Sequence, residues 1–193
     1  HIRTIKKSGT SPVVCINAFV TDTPAEIARI REICEAEGAR VAVSTHWEHG
    51  GEGALELADA VMDACNEKTD FRPLYDWNAP FKERIENIAR DVYGADGVDY
   101  SPAARKTLAE LTEMGYGNLP VCIAKTQYSF SDNAKLTGAP TGFTMEVREV
   151  RLAAGAGFVV VICGNIMTMP GLPKKPAAVN IDVDADGKIT GLF

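Results

Sequence analysis

The stretch Val41-Ala-Val-Ser-Thr-His-Trp-Glu-His-Gly-Gly-Glu-Gly53 gathers imidazoles, carboxylates and one indole in a single glycine-dense loop. His46, Glu48, His49 and Glu52 are side chains of the kinds that bind zinc. Their spacing fits no standard zinc motif and no second ligand pair follows, so a solvated polar loop is the better reading. Trp47 is different, because an indole at the mouth of a strand offers a flat apolar surface to a heterocycle. The alternative is that Trp47 caps the edge of a core, since tryptophan is mostly buried whatever its task.

Other chemistry-bearing groups are weaker. Asp182-x-Asp184-x-Asp186-Gly187 copies the first half of a calcium loop, but the twelfth position, where a glutamate should close it, is Phe193. A hairpin turn is the simpler reading. No G-x-x-x-x-G-K-[ST] phosphate loop occurs, and Gly155-Ala-Gly157 meets Val160 where a dinucleotide fingerprint needs glycine. Lys125 stands where an apolar strand gives way to a hydroxyl-rich loop, in position to contact a phosphate or carboxylate. A snorkelling surface lysine is the alternative. Cys122 lies inside that strand, with every histidine remote, and reads as core and not as a nucleophile.

These groups need elements to hold them. Arg40 to Ser44 reads as a short strand of the kind buried on both faces of a parallel sheet. Gly50, Gly51 and Gly53 then permit a tight loop before a helical pattern over residues 54–66. Upstream, Ser11 to Phe19 is a second strand, followed by a helix from about Ala25 to Glu37, with Pro24 near its first position and Gly38 past its end. Strand, helix, strand predicts parallel neighbours joined by a right-handed crossover. Phe19 and Trp47 then emerge at the same sheet edge, at the carboxyl ends of strands, where open α/β sheets bind ligands.

Further along, helices are expected over Phe81–Val92, with Trp77 packed against it, and from Ser101-Pro102 to about Met114, with Ser101 as the cap. Strands are expected at Val121–Ala124, Thr144–Leu152 and Phe158–Cys163, with a rigid loop over Met167–Pro173. Ile181–Val183 and Lys188–Phe193 should close the chain as a hairpin. The expectation is one α/β region spanning residues 1–193, a mostly parallel sheet flanked by helices, with an antiparallel hairpin extension.

The composition fits a globular chain of 193 residues, 46% hydrophobic and 24% charged. Its net charge of −6 argues against a general nucleic-acid binder, and no apolar run approaches membrane-spanning length. The five cysteines are widely spaced, mostly within apolar runs, and suggest reduced core residues of a cytosolic protein. The chain starts His-Ile-Arg-Thr, as though mid-helix and without an initiator methionine, which suggests a piece of something longer.

Several blocks taken together resemble one family. They are Ile16-Asn-Ala-Phe-Val-Thr-Asp-Thr23, Thr45 to Gly53, Leu119-Pro-Val-Cys-Ile-Ala-Lys-Thr-Gln-Tyr-Ser129, Pro140-Thr-Gly-Phe143, Val147 to Phe158, Ile166 to Pro173 and Gly191-Leu-Phe193. In order and from end to end, the chain resembles formate–tetrahydrofolate ligase. The resemblance implies an ATP- and magnesium-dependent joining of formate to tetrahydrofolate through formyl phosphate, giving 10-formyltetrahydrofolate, in a cytoplasmic homo-oligomer. It also implies that the amino-terminal part carrying the phosphate loop is absent here, leaving a carboxyl-terminal portion that would not catalyse the reaction alone.

On that resemblance Phe19 and Trp47 line the folate pocket, with Val20 and Val43 as its apolar wall. Pro140, Thr141 and Gly142 match a loop near the nucleotide base, and Lys125 is assigned only as an anion contact. The family often carries a basic residue where this chain has Ala18, so that charge is missing. From a different class, the same surface could instead belong to a non-catalytic binding or assembly module that docks a partner chain.

Overall fold

A computed structural model describes residues 1–166 and 174–191. The loop expected over Met167–Pro173 and the last two residues of the closing strand lie outside the described residues. The chain opens with helix α1 (Ile2–Lys7), then strand β1 (Val13–Asn17), helix α2 (Pro24–Ala36) and strand β2 (Arg40–Ser44). Helix α2 begins where expected. The Thr23 hydroxyl accepts from the Glu26 amide, the Glu26 carboxylate accepts from the Thr23 amide, and Pro24 fills the first turn. Strands β1 and β2 pair in parallel, Val13 opposite Arg40 and Asn17 opposite Ser44.

After β2 the chain makes one short turn of helix, α3 (His46–His49), then a 3-10 turn over Gly50–Ala54, and enters helix α4 (Leu55–Cys65). Helix α4 packs on β2. Helix α5 (Phe81–Asp91), strand β3 (Gly97–Tyr100), helix α6 (Pro102–Leu111) and strands β4 (Val121–Ala124), β5 (Thr144–Ala153) and β6 (Phe158–Cys163) follow. Ser101 caps α6 as the sequence suggests, its hydroxyl accepting from the Ala104 amide at 3.0 Å.

These four later strands form their own sheet in the order β3-β5-β6-β4. Its outer pairs are parallel and its central pair, β5 with β6, is antiparallel. The core lies here, where Phe81, Ile85 and Ala89 of α5 meet Met145, Val147, Val159 and Val161. The short antiparallel pair β7 (Asp182–Val183) and β8 (Ile189–Thr190) closes the described chain. The Asp184 carboxylate accepts from the amides of Asp186 and Lys188, so this run of aspartates caps the turn of that hairpin. The architecture is thus α/β, with parallel and mixed sheets flanked by helices and a small antiparallel extension.

Two packing expectations fail. Only Cys163 is buried, while Cys15, Cys65 and Cys122 are exposed and Cys34 is half-buried. In β4, Val121 and Ile123 pack on the core and the alternating position, Cys122, faces away from it. Trp77 is not shelved on α5. The Asp76 carbonyl and carboxylate accept from the amides of Ala79 and Asn78, and within this turn Trp77 is 54% exposed, edge-on to Tyr75 at 5.5 Å. No helix among the described residues is long and apolar enough to cross a membrane.

Candidate functional site

Because β1 and β2 run parallel in register, the residues just past Asn17 and Ser44 leave the sheet at the same end. Phe19 and Trp47 therefore meet, with ring centroids 5.5 Å apart and planes inclined by 21°, an offset stack. Both stay open to solvent, at 51% and 45% exposure. Val20 follows Phe19 and is exposed, and Val43 is half-buried within β2, opposite Ile16.

Each ring is held differently. The Trp47 indole Nε1 donates to the Ala18 carbonyl at 2.7 Å, which fixes the ring plane against the end of β1. Phe19 is held through its backbone: its amide donates to the Asp22 carboxylate at 2.8 Å and its carbonyl accepts from the Asp22 amide at 2.9 Å. The Phe19 ring has no polar atom to make an equivalent bond and is held by its stack on Trp47. Asp22, three residues past Phe19, was not singled out in the sequence, although an aspartate at that offset is a turn-forming signal.

The loop under Trp47 is built by hydroxyls and a glycine. The Thr45 amide donates to the Gly53 carbonyl at 2.9 Å, and the Thr45 carbonyl accepts from Glu48 and His49. Ser44, fully buried, shares a hydrogen bond with His46 Nδ1 at 2.9 Å, and Thr45 shares one with His49 Nδ1 at 3.1 Å. One ring nitrogen of each histidine is thus engaged in shaping the loop. A Cβ on Gly53 would fall 2.7 Å from the Thr45 carbonyl carbon and oxygen, so only glycine lets the two backbones approach.

A second locus forms on the four-stranded sheet. Lys125 follows β4, and its ammonium donates to the carbonyls of Thr126, at 3.1 Å, and Ser129. It also lies 4.7 Å from the Tyr93 ring centroid and 5.9 Å from that of Phe130. Burial pulls its pKa below the ordinary lysine value. The loop it holds is polar and closed: Ser129 and Ser131 are buried and share a hydrogen bond at 2.9 Å.

Lys125, His1, Tyr93 and Phe130 line a cavity of about 300 Å³. An adjoining cavity of about 320 Å³ shares His1, Tyr93 and Phe130 and extends to Pro140, Thr141 and Arg90. Gly142 turns the chain at φ +74° just before β5. Lys125 and the pair Pro140 and Thr141 thus line separate cavities that share three residues, Gly142 lines neither, and neither cavity includes Phe19 or Trp47. Tyr93 and Phe130, missed in the sequence, supply the aromatic walls, and nothing in their spacing announces it.

Comparison with known proteins agrees with the resemblance. The family model described as formate–tetrahydrofolate ligase matches residues 1–193. The formate–tetrahydrofolate ligase of Lawsonia intracellularis is 57% identical over 195 aligned residues, covering 100% of this chain and 33% of the relative. That of Desulfovibrio desulfuricans is also 57% identical with the same coverage, and that of Desulfotalea psychrophila is 53% identical, covering 35% of the relative. The chain thus spans about a third of the length of the curated relatives it matches. On a match that runs its whole length, the chain belongs to the formate–tetrahydrofolate ligase family.

Proposed function

We propose that this chain supplies the folate-binding side of a longer, ATP-dependent ligase that makes 10-formyltetrahydrofolate from formate and tetrahydrofolate. The observation that carries the proposal is the stacked, half-exposed pair Phe19 and Trp47 at the shared end of two parallel strands. A pterin is a flat heterocycle, and stacking on an aromatic face is worth roughly 1–3 kcal/mol by analogy with nucleic-acid bases. Sandwiching it requires two van der Waals gaps, about 7 Å between ring planes. The observed 5.5 Å between centroids is too close, so Phe19 swings aside while Trp47 stays on Ala18.

In the reaction proposed for the whole protein, ATP phosphorylates formate, and the N10 amine of tetrahydrofolate attacks the formyl carbon as phosphate leaves. The residues of this chain orient the pterin and exclude water from one side of it, while charge on the departing phosphate needs donors fixed in place. The proposal assigns magnesium and the phosphate loop to the rest of the polypeptide. Pro140, Thr141 and Gly142 are assigned to the neighbourhood of the nucleotide base, with Lys125 as an anion contact. The proposal also holds that the piece alone is inactive and that the whole enzyme is a cytoplasmic homo-oligomer.

The test is equilibrium binding of tetrahydrofolate to the full-length ligase and to its Trp47→Ala variant. The variant should bind about 5- to 150-fold more weakly, the range that corresponds to the loss of one stacking face. Unchanged affinity would remove Trp47 from the site.

A further inference from the structure

Among the described residues β1 pairs only with β2, and its other edge is open. Backbone groups along a strand alternate in the neighbour they address. The Pro12 carbonyl accepts from the Arg40 amide and the Ala18 amide donates to the Ser44 carbonyl, so the even-numbered residues face β2. The amides and carbonyls of Val13, Cys15 and Asn17 consequently point outward. The outer edge of β2 is open likewise among the described residues; a two-stranded sheet is marginal by itself, and an apolar edge invites a further strand.

The apolar surface beside that edge is bare as well. Helix α2 has no buried residue, although Ile27, Ile30 and Ile33 follow one another at helical spacing, and Ile30 and Ile33 are 43% and 49% exposed. Between α2 and β1 lies an open groove of about 540 Å³ lined by Val14, Ile16, Ile27 and Ile30, with the charged Asp22, Glu26 and Arg29 also on its wall. The all-apolar run Val13-Val-Cys-Ile16 reads as a strand meant to be covered on both faces.

We infer that the outer edge of β1 and the isoleucine row of α2 are an internal interface of the ligase, on which an apolar strand from the remaining two-thirds of the same polypeptide pairs with Val13, Cys15 and Asn17. The occupant follows from length and chemistry. Relatives are about three times as long as this chain, and the exposed backbone row takes only an extended segment. A second copy of the chain, pairing β1 with β1 across a two-fold axis, is the competing occupant. The inference rests on the chain being part of a longer protein and not on the folate reading.

The test is amide-resolved hydrogen exchange on full-length ligase without folate. In the full-length protein the Cys15 and Asn17 amides should exchange at least about 100-fold more slowly than in an open edge, independent of protein concentration. Ile30→Glu in the full-length protein should accelerate those two amides while leaving the β2-facing amides of Val14 and Ile16 slow. Fast exchange at Cys15 and Asn17 in the full-length enzyme would overturn the inference. So would protection that fades on dilution, which assigns the edge to a second copy. Neither result touches the folate site, whose test is a binding constant.

Discussion

The indole of Trp47 donates its N–H to the carbonyl of Ala18 at 2.7 Å, a tether for which the Phe19 ring stacked beside it has no counterpart. It ties the loop after β2 to the end of β1. Trp47→Phe should keep a stacking face and lose the tether, so tetrahydrofolate affinity should fall less than in Trp47→Ala. In a double-mutant cycle with Phe19→Ala the two sites should couple by roughly 0.5–1.5 kcal/mol, as contacting aromatics do. Additive effects on the binding constant would mean that the rings act separately.

Gly53 lies under the same loop, where an added Cβ would meet the Thr45 backbone at 2.7 Å. Gly53→Ala should displace the turn that carries Trp47, lowering the thermal midpoint by a few degrees and weakening tetrahydrofolate binding together. The neighbouring Gly51→Ala, where a Cβ meets nothing within 4 Å, should do neither. Comparing the two variants by calorimetry and titration separates close approach from general loop stiffness.

Arg84 is fully buried on α5, with its guanidinium donating to the carbonyls of Leu119 and Gly117 and lying 4.7 Å from the Phe81 ring centroid. Burial lowers its pKa, and its Nε has no hydrogen-bond partner among the described residues. Arg84→Leu leaves two carbonyls without their donor and should destabilise the four-stranded sheet by about 2–4 kcal/mol, read from urea unfolding. A change within about 0.5 kcal/mol would show that water replaces the guanidinium at those carbonyls.

Glu67 gathers the starts of both strands of the first sheet, accepting from the Arg40 guanidinium and the Ser11 hydroxyl. The Arg40 hydrogen bond, then that of Ser11, holds its carboxyl down at about 2. A depressed carboxylate favours the folded state in its charged form. Its contribution is complete above the ordinary glutamate value of 4.5 and disappears as pH falls through about 2. Thermal midpoints of the chain and of Glu67→Gln should therefore converge between pH 5 and 2, and the gap at neutral pH should shrink in high salt because the pair is exposed.

Much of this was legible before any coordinates. Apolar runs within Ser11–Phe19 and at Arg40–Ser44, separated by a helix with Pro24 at its start and Gly38 past its end, predict a parallel pair, and a parallel pair sends Phe19 and Trp47 off the same edge. That the two rings stack on each other was not legible, because it depends on the Ala18 carbonyl accepting from an indole 29 residues away. Reading an apolar run as buried treats both faces of a strand alike, so Cys15 and Cys122 were misplaced in the core. Arg84 was passed over because it is a charged residue between Phe81 and Ile85 on the apolar stripe, and such a residue is usually solvated. Tyr93 and Phe130 converge on Lys125 from segments far apart in sequence, a meeting that only the tertiary fold sets.

The most direct measurement of the folate proposal is magnetisation transfer between bound tetrahydrofolate and the ring protons of labelled Phe19 and Trp47 in the full-length ligase. Cross-peaks from the pterin to both rings are predicted, with the Trp47 indole N–H still hydrogen-bonded and the Phe19 ring shifted from its unliganded position. Cross-peaks from the pterin to other residues, with none to these two rings, would contradict it.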